Sequence, residues 1–270
     1  MRFVKSLALA ATAILTVPAY AADPIFTALP TSPDGWIVTL NGNVRVGPSY
    51  PGADDMGFVV YPSASFRRAG TPPRIPPPDE GLSISFVEQS SFTIGVVGRF
   101  LGGRYLQDNR RLYGLEKIDW AVEPGVFVEY WPFAFLRARA ELRHGINGHD
   151  GFVADFGVDV VQRYGAFTFS VGPRLALGDS SFTRTYFGVT PYEAAVNGLV
   201  TPYRPGGGIT SVGVTSGLTY DWSDQWSTTG FVTYRRLVGD PSDSPIVKRF
   251  GSENQVGLGL TVSYSFDSGM

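Results

Sequence analysis

The sequence predicts an all-β protein, a transmembrane antiparallel up-and-down β-barrel of 10 to 12 strands. Three observations support this fold class. Segments of about 10 residues repeatedly alternate apolar side chains with polar or small ones, as strands with two different faces do. Short turns alternate with long loops, and an export signal precedes the first strand. Together these features are typical of a barrel that crosses a bacterial outer membrane.

The N-terminus has the organisation of a cleaved export signal. Basic residues precede a mostly apolar run over 7–17, and an Ala-Tyr-Ala sequence that ends at residue 21 matches a cleavage site. The apolar run is too short to cross a bilayer as a helix, which needs roughly 20 residues. We therefore expect a signal peptide over residues 1–21 and one outer-membrane barrel domain over residues 22–270.

The first hundred residues contain four predicted strands and one break. In the first strand Val38 and Leu40 alternate with Thr39 and Asn41. The Pro-rich stretch 72–78 lacks the N–H donors that a ladder needs, so it is predicted to be a loop. The four predicted strands span residues 36–46, 58–67, 82–87 and 92–100.

Seven further strands follow, and the last has the clearest alternation. Its apolar face carries Leu258, Leu260 and Val262, whereas Gly259 and Thr261 lie on the opposite face. The strand at 226–236 alternates less regularly than the others. The seven predicted strands span residues 120–130, 134–143, 152–160, 166–177, 211–222, 226–236 and 256–266.

The predicted strand count is odd, whereas bacterial single-chain barrels have an even number of strands. We expect the miscount in the first hundred residues, either where 82–100 is divided or in the Pro-rich stretch, so ten and twelve strands are both admissible. Aromatic residues near strand ends, such as Trp36, Trp131 and Trp222, suit interfacial girdles. A soluble β-sandwich also shows alternation and is the alternative fold.

Charged residues lie on the face that a barrel would turn inward. One parity of the strand at 134–143 carries four of them, and the neighbouring strands place acidic residues beside it. Because a small barrel is filled by its own side chains, we predict a packed ionic lumen, with a narrow selective channel as the alternative. The lumen candidates are Arg99, Glu123, Arg137, Arg139, Glu141, Asp155 and Arg174, accompanied by Glu129, Arg143 and Asp159.

The composition excludes several function classes. The chain has no Cys, which rules out disulfides, thiol nucleophiles and Cys-ligated metals, and no basic tract indicates nucleic-acid binding. His144 and His149 follow the strand at 134–143, and we expect them to be solvated rather than parts of a hydrolase, because no Ser nucleophile motif accompanies them. We assign no catalytic residue, cofactor or metal ligand and predict that the protein is not an enzyme.

Two long loops carry specific motifs. The first is Tyr186-Phe187-Gly188-Val189-Thr190; the second is Gly239-Asp240 followed by Asp243-Ser244-Pro245-Ile246-Val247. They resemble the YFGVT and DSPIV stretches of the MipA/OmpV family of outer-membrane proteins, and the resemblance extends over the chain from about residue 34. Such Asp, Ser, Pro and Gly residues form turns and caps, so we expect these motifs to shape extracellular loops.

The resemblance implies a non-enzymatic scaffold that is embedded in outer-membrane lipid. It further implies two partners, a lytic transglycosylase and a penicillin-binding protein, so that murein cleavage is linked to peptidoglycan synthesis. Such partners would meet the periplasmic side, at the turns 131–133, 163–165 and 223–225 or at the stretch 22–35. The alternative functions are a narrow outer-membrane pore and a surface adhesion protein that uses the loop 178–207.

Overall fold

The computed structural model describes residues 35–68, 81–89, 91–106 and 109–268, and one antiparallel sheet dominates it. The predicted signal peptide and the Pro-rich stretch 72–78 lie outside these residues. All eleven predicted strands are confirmed. The strands are β1 Trp36–Pro48, β2 Met56–Arg68, β3 Leu82–Glu88, β4 Phe92–Leu101, β5 Ala121–Phe133, β6 Leu136–His144, β7 Ile146–Asn147, β8 Phe152–Tyr164, β9 Phe167–Gly178, β10 Gly208–Asp221, β11 Trp226–Leu237 and β12 Asn254–Asp267.

The strands form a nearly closed barrel. The order along the sheet is β2-β1-β12-β11-β10-β9-β8-β6-β5-β4-β3, and the two-residue β7 pairs with β5 as a twelfth strand. The first and last strands pair antiparallel, and β2 and β3, at the two ends of the path, lie beside each other. The count of eleven plus β7 confirms the predicted range of 10 to 12 strands.

The direction of the strands explains how an odd number fits around the barrel. Every hydrogen-bonded pair along the path is antiparallel, so direction alternates at each of its ten steps and β2 and β3 run the same way. Trp36 at the start of β1 and Asp267 at the end of β12 consequently lie at the same rim, where Ile37 pairs with Asp267. An even number of strands is therefore not needed to bring the start of β1 and the end of β12 to the same rim.

The two ends of the barrel differ in the length of their connections. One end, here called the turn rim, consists of the short connections 89–91, 134–135, 165–166 and 222–225, together with the start of β1 and the end of β12. The loop rim consists of 49–55, 102–120, 145–151, 179–207 and 238–253. In transmembrane barrels the short turns face the periplasm and the long loops face outward.

The long loops contain helices that the sequence analysis missed. None of the described helices has the length and apolar character needed to cross a bilayer. Each begins beside a capping residue or a Pro, which are local start signals too brief to predict a helix without its tertiary contacts. The helices are α1 Ser180–Phe187, α2 Pro191–Asn197, α3 Asp240–Asp243 and α4 Pro245–Phe250, with a 3-10 turn at Arg110–Leu112.

The predicted turn at 131–133 is wrong by a few residues. β5 continues through Phe133, with a register shift between Tyr130 and Phe133, and the reversal falls at 134–135. Trp131 stays in the sheet because its N–H donates to the Ser91 carbonyl and its indole N–H donates to Glu129 Oε1 at 2.7 Å.

The barrel is apolar outside and polar inside. On β12 Leu258 is 51% exposed on the outer face, whereas on β10 the inward residue Thr215 is 2% exposed. A β-sandwich buries its apolar face and exposes its polar one, so this inverted burial excludes the alternative fold. The outer face suits a lipid environment.

Aromatic side chains cluster on the outer face near both rims. Close to the turn rim, Trp226 packs on Tyr264 with ring centroids 4.7 Å apart, and Tyr220 packs on Trp222 at the same separation. Near the loop rim Trp120 stacks on Phe100. Two such belts mark the membrane–water interfaces of transmembrane barrels.

Candidate functional site

The interior of the barrel is occupied by a network of charged side chains, here called the ionic lumen. Nine of its eleven members are buried although they are ionisable, which requires that each of the nine be paired, and the other two are partly exposed. They come from six strands, of which β5, β6 and β8 contribute most. The ionic lumen consists of Arg99, Glu123, Glu129, Arg137, Arg139, Glu141, Arg143, Asp155, Asp159, Arg174 and Arg235.

Arg143 occupies the centre of this network. The register between β6 and β8 places Glu141 directly opposite Asp155, an arrangement of like charges that is unfavourable by itself. The Arg143 guanidinium donates to both carboxylates, and its Nε donates to Glu123 Oε2 at 3.0 Å. One side chain thus holds three buried carboxylates together.

A second group of charges lies nearer the turn rim. Arg137, which is 2% exposed, donates to Glu129 Oε2 at 2.6 Å and to Asp159 Oδ2 at 3.2 Å. Arg174 of β9 binds the other oxygen of Asp159 at 2.8 Å. Arg139 contacts Glu129 and also lies over the Phe127 ring, 3.7 Å from its centroid.

Two arginines extend the network across the barrel. Arg235 of β11 reaches Asp155 Oδ1 of β8 at 2.8 Å, although two strands separate them in the sheet. Arg99 of β4 reaches Glu141 Oε2 of β6 at 3.0 Å. The structure thus places all seven lumen candidates together on the inner face. It adds Arg235, which sequence reasoning missed because its strand alternates poorly.

His149 is buried, so the expectation that it is solvated is wrong. Its Nε2 lies 3.0 Å from Glu123 Oε1, and its ring packs edge-on against Phe182 and Tyr186. The Gly145 N–H donates to the Gly151 carbonyl at 2.9 Å, which closes the loop, and the Gly151 N–H donates to His149 Nδ1 at 3.3 Å. His144, in contrast, lies at the surface beside Asp150.

The loops of the loop rim converge into one hydrophobic cluster, here called the loop cap. Most of its residues come from loops that begin on opposite walls of the barrel, so they meet over its mouth, and Val153 and Leu237 join from the ends of β8 and β11. Tyr186 and Phe187 at the end of α1 are 0% and 1% exposed. The cluster consists of Tyr50, Ala53, Leu112, Ile118, Val153, Phe182, Tyr186, Phe187, Val189, Ala194, Val200, Leu237, Ile246, Val247 and Phe250.

The first family-like motif shapes the end of α1 and the start of α2. Gly188 is the C-cap of α1, and Val189 forms a β-bridge with Tyr203. Thr190 caps α2 with a reciprocal capping box, in which its hydroxyl accepts from the Glu193 N–H. Each residue of the motif therefore has a local structural task in the loop cap.

The second motif forms α3 and α4. Gly239 precedes α3 with φ 60°, a backbone conformation that glycine adopts without strain. Asp240 Oδ2 accepts the Gly206 N–H, and Asp243 forms an exposed pair with Lys248. Pro245 begins α4 and leads into Ile246 and Val247, which are buried in the cap.

A single hydroxyl joins the two motifs, and we expect its loss to destabilise the cap. Ser244 Oγ donates to the Phe187 carbonyl at 2.7 Å and accepts from the Ile246 N–H as the N-cap of α4. Ser244→Ala leaves a buried carbonyl unpaired and should lower the free energy of unfolding by about 1–2 kcal/mol. Denaturant titration of the folded barrel measures this change.

Ser242→Ala is the matched control for that prediction. Ser242 Oγ also donates to a backbone carbonyl, that of Gly239, but this hydrogen bond is solvent-exposed. Its loss should change the free energy of unfolding by less than about 0.5 kcal/mol. Equal effects of the two substitutions would show that the link between the motifs contributes nothing.

Glu193 ties α2 to the loop 109–118 and makes the cap sensitive to acid. Its Oε2 accepts the Thr190 N–H and its Oε1 accepts the Glu116 N–H, both at 2.7 Å. Burial by itself raises the pKa of Glu193, but the hydrogen bonds from Thr190 and Glu116 outweigh it and lower the pKa below its usual 4.5.

Because the folded-state pKa of Glu193 is lowered, its stabilising effect is complete above pH 4.5 and is lost as the pH falls through that lowered pKa. Glu193→Gln should therefore lower the thermal midpoint at neutral pH, and its curve should converge with the wild type in acid. Burial by itself raises the pKa of Asp179, but hydrogen bonds from backbone N–H groups outweigh it and lower that pKa. Because Asp179 is present in both the wild type and Glu193→Gln, its contribution to the pH dependence of the thermal midpoint cancels when the two curves are compared. Parallel curves at every pH would contradict this role.

Arg104 is a further cap residue that the sequence analysis missed. It is 3% exposed, and it donates to the Tyr186 carbonyl at 3.0 Å and to the Glu116 carbonyl at 3.1 Å. Burial lowers its pKa, while nearby acidic groups including Glu193 act in the opposite direction. An Arg within a loop carries no sequence signal for burial, so only the tertiary contacts reveal it.

Comparison with known proteins agrees with this architecture. The family model described as MltA-interacting protein MipA matches residues 41–266. The outer membrane protein Omp26La of Vibrio anguillarum is 31% identical over 149 residues, which is 55% of this chain and 51% of that protein. The chain thus spans about half the length of that relative.

Solved structures also show similarity. An outer membrane channel from Pseudomonas putida F1 is 10% identical, with a TM-score of 0.45, over 91% of this chain and 100% of that one. A bacterial polysaccharide outer membrane secretin is 8% identical, with a TM-score of 0.41, over 85% of this chain and 98% of that one. From the family match and the barrel described above, the chain belongs to the MltA-interacting protein MipA family and is an outer-membrane β-barrel protein.

Proposed function

We propose that this barrel is a non-transporting scaffold that brings a murein hydrolase and a peptidoglycan synthase together at the outer membrane. The observation that carries the proposal is the obstruction of the interior at two levels. The ionic lumen bridges the barrel from β4 and β6 to β8 and β11, and the loop cap packs over the mouth. A barrel that is closed in this way is suited to binding at its rims.

The two levels of obstruction are joined to each other. His149 links Glu123 of the ionic lumen to Tyr186 of the loop cap. Gln255 of β12 accepts the Gly52 N–H and donates to the Ala53 carbonyl, which fastens the loop 49–55 over the barrel wall. Opening a path for solutes would require both the ion pairs and the hydrophobic cluster to separate.

The family name supports the choice of partners. The proposed partners, a lytic transglycosylase and a penicillin-binding protein, act on murein, which lies on the periplasmic side of the outer membrane. The turn rim is the accessible surface on that side. Its turn 222–225 presents exposed polar side chains, including Asp224, that a partner can contact.

A binding experiment with the full-length barrel tests the scaffold. Biolayer interferometry on detergent-solubilised protein should show that the transglycosylase and the penicillin-binding protein bind together. Asp224→Lys at the turn rim should weaken binding of at least one partner about tenfold by reversing a contact charge. Tyr192→Ala on α2, at the opposite rim, is the control and should leave both affinities unchanged. Absence of binding by the wild type would reject the scaffold.

The same closure predicts the electrical behaviour of the barrel. In a planar bilayer the wild-type protein should give no steady single-channel current, because the ion pairs that cross the lumen and the hydrophobic loop cap obstruct the passage of ions. A steady current whose ion selectivity changes in Arg137→Gln or Arg139→Gln would favour the narrow-pore alternative instead.

Surface adhesion is a second candidate because of exposed apolar residues on the cap. Tyr192 on α2 is 78% exposed, and Leu199 beyond the helix is 55% exposed. Tyr113 lies next to them, because Asn197 donates to its carbonyl at 2.6 Å. Whole-cell attachment that is lost in Tyr192→Ala, with barrel stability unchanged, would support adhesion by this surface.

A further inference from the structure

We propose that the loop rim contains a binding site for a neutral sugar, in the cavity between α1, the glycine segment 206–208 and α3. The site lies at the end of the barrel opposite the turn rim, so it goes beyond the proposed scaffold and does not depend on it. Three features carry the proposal: the space itself, the chemistry of its walls, and its position beside the lipid-facing surface.

The cavity is large enough for a small organic molecule. Its volume is about 370 Å³, at the lower end of the roughly 300–1,000 Å³ that ligand sites occupy, which favours one sugar ring over a longer oligosaccharide. Glycines leave this space open, since a Cβ placed on Gly208 would meet no described atom within 4 Å. The glycines of the lining are Gly206, Gly207, Gly208 and Gly239.

The glycine segment is held in place from both sides. Thr183 Oγ1 of α1 donates to the Gly206 carbonyl at 2.7 Å, and the Gly206 N–H donates to Asp240 Oδ2. The Tyr203 hydroxyl donates to the Asp240 carbonyl at 2.9 Å, which fixes the start of α3. The walls are therefore set before a ligand arrives, and this reduces the entropy that binding costs.

One carboxylate supplies the polar contact for a ligand. Asp240 is exposed and lines the cavity, and the fold uses its Oδ2 to accept the Gly206 N–H. None of the residues that the structure describes donates to its Oδ1, so this oxygen can accept from a ligand hydroxyl. A hydrogen bond from a hydroxyl to a charged oxygen is stronger than one between two neutral groups.

The composition of the lining selects a neutral, amphipathic ligand. Of the described residues that line the cavity, Asp240 alone is ionisable, so an anion would be repelled. The described residues contain no group of three acidic or histidine side chains that could hold a metal ion. Ile209, Val238 and Pro241 add apolar surface. A sugar ring matches both kinds of wall, because it presents hydroxyl groups at its edge and C–H groups on its face.

The cavity borders the surface that faces lipid. Ile209 pairs with Leu177, which shares the outer face of β9 with Phe169, and Ile209 is itself 47% exposed. Val212, which follows on the outer face of β10, is 42% exposed. Because the long loops of transmembrane barrels face outward, a sugar can reach the site either as the headgroup of a lipid or from solution.

Saturation-transfer NMR on the full-length barrel tests the site. The protein is reconstituted in phosphatidylcholine nanodiscs, because sugar-based detergents would compete, and glucose and galactose are titrated separately. The wild type should bind at least one of them saturably. Asp240→Asn keeps an acceptor for the Gly206 N–H but removes the charge, and should weaken that binding about tenfold.

Two further variants localise the binding. Asp243→Asn is the matched control: Asp243 lies on the same helix but pairs with Lys248 and does not line the cavity, so the affinity should not change. Ile209→Trp leaves the carboxylate intact but places a large ring at the apolar wall, and should also weaken binding. Gel mobility without heating verifies that each variant is folded.

A second set of nanodiscs distinguishes the two sources of the sugar. Discs that contain glucosylceramide or galactosylceramide present the same ring on a lipid. If the natural ligand is a lipid headgroup, the ceramide that carries the bound sugar should reduce binding of the free sugar to the wild type. If the ligand comes from solution, the free sugar should bind equally well with and without the glycolipid. Either result supports the site and identifies its source.

The outcomes that overturn the site are equally clear. The first is that the wild type binds neither sugar saturably. The second is that the wild type, Asp240→Asn and Ile209→Trp bind with equal affinity, because binding would then occur elsewhere on the barrel. Neither outcome bears on binding of murein enzymes at the turn rim, so the scaffold proposal is tested separately.

Discussion

Arg143→Met should lower the free energy of unfolding by about 3–5 kcal/mol, because it removes the cation that three buried carboxylates share. Glu141 and Asp155 face each other across β6 and β8, and Glu123 lies within hydrogen-bond distance of the same guanidinium. Without Arg143 these acids either repel one another or take up protons. Urea unfolding of the barrel in lipid vesicles measures the loss.

Two matched variants show whether the geometry or the charge of Arg143 matters. Arg143→Lys keeps the charge, but a single ammonium group cannot reproduce the planar fork that contacts three carboxylates, so an intermediate loss is expected. Arg236→Met removes an exposed arginine that pairs only at the rim, and should cost less than about 1 kcal/mol. If Arg143→Met cost no more than Arg236→Met, the ionic lumen would contribute little to stability.

Tyr186→Ala should have a comparable effect at the loop cap, lowering the free energy of unfolding by about 3–5 kcal/mol. Tyr186 is fully buried between Phe182, Phe187 and His149, so its removal leaves a cavity at the centre of the cluster. Among the residues that the structure describes, the loop cap is the main apolar core, because the interior of the barrel is polar. The same denaturant titration measures this loss.

The ring of Tyr186, rather than its hydroxyl, should carry this effect. The hydroxyl is buried and makes no hydrogen bond to the residues that the structure describes, and its desolvation raises the pKa of Tyr186. Tyr186→Phe should therefore be neutral or slightly stabilising. Tyr192→Ala on α2 controls for the loss of an exposed ring and should change stability by less than about 0.5 kcal/mol. A large loss in Tyr186→Phe would contradict this account.

The strands of this barrel could be predicted from local sequence because each strand separates two media. Along β12, for example, Leu258, Leu260 and Val262 face lipid, while Gly259 and Thr261 face the lumen. That contrast repeats every second residue, so it is visible without knowledge of any other part of the chain. The same parity placed Arg137, Arg139 and Glu141 on the inner face.

The lumen could be predicted only in part. Inward parity places Arg137 and Asp159 on the inner face of neighbouring strands, and the register that sets them opposite each other comes from the structure. It does not identify the contact between Arg235 and Asp155, which are 80 residues apart on strands that are not adjacent. Such contacts depend on how far the barrel curves, and the curvature is a property of the closed sheet.

The loop cap shows the opposite relation between sequence and structure. The motif residues Phe187 and Ser244 were recognisable, but nothing in either motif indicates that they touch across 57 residues. Helices as short as α3 and α4 are not stable in isolation, so propensity alone does not predict them. Capping hydrogen bonds and burial in the cluster stabilise them together.

By itself the sequence determined the fold class, the strands, the lipid-facing surface and the inward charges, since each follows from a pattern within about ten residues. Only the tertiary structure decided which charges pair, that His149 is buried and that the long loops close over the mouth. The physical reason is that alternation reports the medium that each face meets, whereas ion pairing and loop packing depend on distances between segments far apart in the chain.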